Sequence, residues 1–118
     1  MLLARVVLQV GLLLERNGLH MAVPAPPITR GLLTLPSDRV RCDETIAEAC
    51  ERILSDHGIV ALQLRPEGFH VDELDDGRSL VTIAFRPKVW VAQKPLTSYF
   101  WAAVDEEGGR RVDGGETV

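Results

Sequence analysis

The sequence predicts an α+β domain, a mixed β-sheet of six or seven short strands with one principal helix inserted early. Three observations carry that reading. Apolar residues recur at Ile46, Ala49, Cys50, Ile53 and Leu54, the stripe of a helix lying on a sheet. Short Val- and Leu-rich runs on either side are bounded by Gly, Pro, Asn and Asp, the punctuation of strands and hairpins. A length of 118 residues, with 46% hydrophobic and 25% charged content, suits one domain with a single core.

Taken in order, residues 4–14 (ARVVLQVGLLL) form a strand ending in the turn Glu15-Arg16-Asn17-Gly18, where Asn-Gly is the strong hairpin signal. Leu19 to Val23 is the return strand. Pro24, Pro26 and Pro27 make residues 24–29 a loop or an edge. Gly31 to Leu35 is again strand-like and is stopped by Pro36-Ser37-Asp38. Asp43 is the expected N-cap of the helix, with Glu44 in the first turn, where the helix dipole favours a carboxylate. Glu44, Glu48, Glu51, Arg52 and Ser55 take the polar face, and Gly58 closes the helix.

Ile59 to Leu64 is a strand leading to Arg65-Pro66-Glu67-Gly68, after which Phe69 to Leu74 alternates weakly. Asp75-Asp76-Gly77 is a second hairpin turn, and Ser79 to Phe85 is the next strand. Pro87 ends it or marks a bulge, Val89 to Ala92 continues extended, and Pro95 breaks the chain. Ser98 to Val104 is the last strand. Its alternation puts Tyr99 and Trp101 on one face and Phe100 on the other, as core, dimer interface or base-stacking surface. Trp90 carries the same alternatives. The domain is thus 1–105, and 106–118, with Gly pairs among charges, is expected to be a disordered tail.

The formal charge of −4 is unevenly spread: five acids against Arg110 and Arg111 give −3 from Asp105 onward. No basic stripe suits duplex nucleic acid. Met1 to Leu14 lacks a basic leader, is interrupted by Gln9 and is too short to span a bilayer, so a buried strand in a cytoplasmic, membrane-free protein is expected. Cys42 and Cys50 are expected as free thiols, with Cys50 half-buried, and their spacing fits no zinc pattern. No Gly-rich phosphate loop or Ser-His-Asp arrangement is present, and His20, His57 and His70 are scattered.

The stretch from Gly31 to Ile59 (GLLTLPSDRVRCDETIAEACERILSDHGI) and the order of elements around it resemble the Nudix hydrolase superfamily. That family's signature is G-x5-E-x7-R-E-U-x-E-E-x-G-U, with U a bulky aliphatic residue. Leu35-Pro36 stands where the family has Leu-Pro, Glu44-Thr45 matches the Glu-Thr that opens its helix, and Arg52 follows Glu44 at the motif's spacing. Arg39-Val40 and Gly58-Ile59 also match. The resemblance implies an α/β/α-like Nudix fold over roughly residues 4–105, without the C-terminal helix that most members pack on the sheet.

Family members cut a pyrophosphate linkage in a nucleoside diphosphate derivative, with helix carboxylates holding Mg²⁺ or Mn²⁺. Such hard cations need several oxygen ligands from one face. Here Asp38 replaces the opening Gly, Ile53 replaces the acid after the arginine, and one residue is missing before Gly58. Either register, Asp56-His57 or Ser55-Asp56, leaves one carboxylate where the motif has three. Glu44, Arg52 and Gly58 are then structural members of the motif, with Glu44 and Arg52 as an ion pair clamping loop to helix.

The candidate catalytic residues are Asp56, Glu48 and Glu51, and the candidate metal ligands are Asp56 and His57. The plainer reading makes these solvated polar residues, with a positive His57 suited to the helix C-terminus. Asp72, Glu73, Asp75 and Asp76 form an acidic hairpin, either a soluble turn or a source of a further ligand. The resemblance implies a Nudix-fold protein with a degenerate box, weak or inactive as a hydrolase and acting as a nucleotide- or protein-binding module. Its partners would be a nucleotide or small phosphorylated ligand and a second copy or another protein. The alternatives are a divalent-metal-dependent pyrophosphohydrolase with a rearranged site, using Mg²⁺ or Mn²⁺, and a relic fold without a role.

Overall fold

A computed structural model describes residues 5–24, 33–96, 99–104 and 112–117. Its organising element is a four-stranded sheet. Strand β1 (Val6–Leu12) is followed by a two-residue β2 (Glu15–Arg16) and β3 (Leu19–Pro24). Asn17 and Gly18 both take positive φ, 55° and 82°, so the Asn-Gly hairpin forms as expected with the turn that matches strand twist. Next come β4 (Leu33–Thr34), β5 (Ser37–Arg39), helix α1 (Ile46–Asp56), β6 (Ile59–Leu62), β7 (Arg65–Glu73), β8 (Ser79–Arg86), β9 (Val89–Ala92), β10 (Phe100–Val104) and β11 (Val112–Thr117).

The main sheet runs β5-β1-β8-β7, with β1 parallel to β8 from Val6↔Ser79 to Leu12↔Phe85 and the other pairs antiparallel. A second sheet runs β10-β11-β4-β3-β2, and β6 and β9 form a separate ribbon. Helix α1 packs on β1, β5 and β6. The main core gathers Val10, Leu12, Leu14, Met21, Cys50, Ile53, Leu54 and Trp101, and a smaller one holds Leu13, Ala22, Leu35, Ala84 and Ala102. The stripe read from the sequence is the buried face of α1: Ala49, Cys50, Ile53 and Leu54 are all buried. Both cysteines are free. Cys50 lies deeper than half-buried, and burial pushes its thiol up to about 11.

Several expectations are corrected. The N-cap is Thr45, not Asp43. Its hydroxyl accepts from the Glu48 N–H at 3.1 Å, while the Glu48 carboxylate accepts from the Thr45 N–H at 2.8 Å. Helix α1 therefore starts two residues later, and Glu44 stays in the loop. Thr45-x-x-Glu48 is the capping-box pattern, which outcompetes a lone Asp. Thr45→Ala is expected to cost about 1 kcal/mol, read as a lower urea midpoint with an unchanged slope.

Ser37 and Asp38 of the expected stop Pro36-Ser37-Asp38 lie instead in strand β5, on the open edge of β1, a place that suits polar side chains. Arg65 and Pro66 begin β7, where Pro is tolerated because β7 is an edge strand and the register shifts between Pro66 and Gly68. Of the predicted tail, residues 112–117 form β11, which pairs with β10 and with Leu33 of β4. Residues 105–111 and 118 lie outside the described residues, as do parts of the predicted loop 24–29 and strands 31–35 and 98–104. The described residues hold eleven extended segments rather than six or seven, and one helix. No helix among them is long and apolar enough to cross a membrane.

Candidate functional site

Arg52 is the hub of the region that carries the motif. From the middle of α1 its guanidinium reaches back over the preceding loop. Nη2 donates to Glu44 Oε1 at 2.7 Å and to the Arg39 carbonyl at 3.0 Å; Nε donates to Glu44 Oε2 at 3.2 Å; Nη1 donates to Asp38 Oδ2 at 2.9 Å. Glu44 Oε1 also accepts the Arg41 N–H at 2.9 Å. The bonds from Arg52, then that from Arg41, hold the Glu44 carboxyl down to about 2. Burial works to raise Asp38, but the bonds from Arg52 and from its neighbour's N–H outweigh it and leave the carboxyl lowered. The guanidinium is driven upward in turn and stays charged. The expected Glu44–Arg52 clamp is therefore present, tightened by Asp38, the residue standing at the motif's opening Gly.

The remaining candidates are dispersed. Glu48 is engaged in the cap, and Glu51 and Asp56 are exposed on α1. His57 is the C-cap residue and Gly58, at φ 69°, ends the helix as predicted. Burial lowers the His57 pKa despite the pull of Asp56, which works against the positive charge that would suit the helix C-terminus. Its Nδ1 lies 2.6 Å from the Tyr99 hydroxyl, which donates to it when the ring proton sits on Nε2. In the acidic hairpin Asp76 accepts from Arg78 Nε at 2.7 Å, and Asp72 Oδ2 lies 3.3 Å from His70 Nε2. Among the described residues no three His, Cys, Asp or Glu side chains converge so as to hold a metal ion. The donor set does not fit one, because its acids are paired or point apart.

The aromatic strand follows its alternation: Trp101 and Tyr99 face the main core and Phe100 the smaller one. Trp101 stacks on Trp90 with centroids 6.3 Å apart, and Arg16 lies over both rings. At 3% exposure Trp101 is core, not an open stacking surface.

A polar cleft of about 140 Å³ opens elsewhere, lined by Gln9, Ser37, His70, Asp72, Leu80 and Thr82 among others. Gln9, Thr82 and His70 stand in one row across β1, β8 and β7. Gln9 Nε2 donates to Thr82 Oγ1 at 3.4 Å, and His70 Nε2 is 3.3 Å from Asp72 Oδ2. Because alternate residues face opposite ways, Val10 and Leu12 point to α1 while Gln9 and Gly11 point into the cleft. Sequence reasoning missed this site. Its signal was a polar residue in the middle of each of two apolar strands, Gln9 in β1 and Thr82 in β8.

The sequence matches no family model and no curated protein. Solved structures do match. A MutT Nudix hydrolase from Burkholderia pseudomallei is 16% identical at a TM-score of 0.63, over 94% of this chain and 81% of that one. A Nudix hydrolase from Nitrosomonas europaea is 20% identical at 0.61, over 90% and 70%. A MutT protein from Bacillus halodurans is 14% identical at 0.60, over 94% and 68%. With its parallel β1–β8 pair, its loop-helix clamp and these neighbours, the chain has the Nudix fold.

Proposed function

We propose that the chain binds a nucleotide or small phosphorylated ligand and hydrolyses pyrophosphate linkages weakly or not at all. One observation carries this reading: the acids of the box region are already committed. Asp38 and Glu44 hold Arg52, Glu48 closes the helix cap, and the position after Arg52 is a core isoleucine. The acids left on α1 are Glu51 and Asp56, five residues apart and so on different sides of the helix. Mg²⁺ or Mn²⁺ needs several oxygens converging from one side. The cleft supports the binding half of the reading, since Gln9, Ser37 and Thr82 offer both donors and acceptors. Its volume of about 140 Å³ has room for one ring, and with the Asp72 carboxylate on its wall and no Lys or Arg there among the described residues the phosphates stay outside.

The test is a calorimetric titration with nucleoside mono-, di- and triphosphates, with phosphate release followed in parallel. Saturable binding without turnover, weakened by Thr82→Val, is the expected result. No binding across the panel contradicts it. Turnover that requires Mg²⁺ or Mn²⁺ and vanishes in Asp56→Ala would instead establish the rearranged hydrolase, built on Asp56 with Glu48 or Glu51.

A further inference from the structure

The β6–β9 ribbon turns Ile59, Ala61, Trp90 and Ala92 into the main core. Its other face carries Val60 opposite Val91 and Leu62 opposite Val89. These four are 45, 56, 62 and 52% exposed, respectively. A solvated sheet face ordinarily carries polar residues. This one carries four aliphatic side chains side by side, roughly 300 Å² of apolar surface, the low end of the largest patches that monomers expose and often use.

The two ends of the patch differ in charge. At the end by the helix C-terminus, Glu51 shares a groove with Ser55, Val60 and Gln93. Asp56 and Lys94, near the same turn, bring one charge of each sign and leave that end acidic. Beyond Leu62, Arg65 and Lys88 line a second hollow, with the Lys88 N–H donating to the Leu62 carbonyl at 3.0 Å. Among the described residues, Glu51, Arg65 and Lys88 make no ion pair.

We propose that this face seats a second copy of the same chain. A two-fold axis through the ribbon brings the acidic end of one copy to the basic end of the other. Each copy's Glu51 then meets the partner's Lys88, and the aliphatic side chains close between them. An acid-to-base gradient along one patch is self-complementary under a two-fold, the property an isologous interface requires. The patch alone falls short of the roughly 800 Å² per partner of a stable interface. The proposed dimer is therefore a weak one that dissociates on dilution. This surface is separate from the cleft, and the inference stands whether or not the cleft binds a nucleotide.

Sedimentation equilibrium on the full chain, from about 1 to 200 μM, tests it. The expected wild-type result is a reversible monomer–dimer equilibrium. Leu62→Glu buries an unpaired carboxylate in the seam and weakens the dimer at least about tenfold. Its thermal melt, taken at a concentration low enough that wild type is also monomeric, stays unchanged because the site is exposed in the monomer. Should that melt move, Val91→Lys on the other strand gives the same reading. Lys88→Glu weakens the dimer by setting acid against acid, and adding Glu51→Lys restores it. Phe69→Glu, at an exposed position of β7, leaves it intact. A single-chain mass at every concentration, or a wild-type equilibrium in Leu62→Glu with Val91→Lys, overturns the proposal. Failure of the charge-swapped double variant to recover overturns the two-fold arrangement.

Discussion

Ile53→Glu will destabilise the chain by about 3 to 5 kcal/mol and will not create a metal-dependent enzyme. The substitution restores the acid that the Nudix signature carries after its arginine. Yet Ile53 is 3% exposed and packs in the main core with Cys50, Leu54 and Val10. The change removes aliphatic packing and puts a carboxylate among groups that cannot hydrogen-bond to it. The new side chain must then take up a proton or open the helix–sheet seam. Urea unfolding measures the loss. A midpoint close to wild type, with new Mn²⁺ binding, would mean that the side chain swings out to the polar face. The box would then stand one substitution from a metal site.

Glu44→Gln will lower stability at neutral pH, and the difference from wild type will close in acid. The folded protein holds the Glu44 carboxyl at about 2, below its ordinary 4.5, through the bonds from Arg52 and the Arg41 N–H. A depressed carboxyl contributes fully above its unfolded pKa and loses that contribution as pH falls through the folded value. The gap between wild type and variant should therefore be complete at pH 7, begin to shrink near 4.5 and be almost gone by 2. Asp38 and Glu67 are lowered by arginine partners too, so wild type alone cannot isolate Glu44; the difference does. A gap unchanged at pH 2 would show that Glu44 acts by packing rather than by charge.

Local patterns made much of this fold legible. The apolar stripe of α1, the Asn17-Gly18 hairpin and the alternation of Tyr99, Phe100 and Trp101 each depend on neighbours in sequence, and each took the predicted form. The Glu44–Arg52 clamp was readable from the family's spacing. What failed depended on distant partners or on a choice between two local signals. Asp43 and Thr45 both suit an N-cap, and Glu48, three residues after Thr45, decides between them. Asp38 joins the clamp only because β5 pairs with the edge of β1. The Gly-rich segment of β11 is strand because the edges of β10 and β4 are available to it. The cleft needs the parallel register of β1 with β8, which joins Gln9 to Thr82 across 73 residues.

The central claim is that the acids of the box serve the frame and do not gather around a cation. The most direct test is a calorimetric titration of the purified protein with Mn²⁺ and with Mg²⁺ at neutral pH, beside the same titration of Asp56→Ala. The account predicts no saturable binding below about 1 mM and superimposable traces for the two proteins. Saturable wild-type binding below that concentration, lost in Asp56→Ala, would contradict it and put a cation on α1.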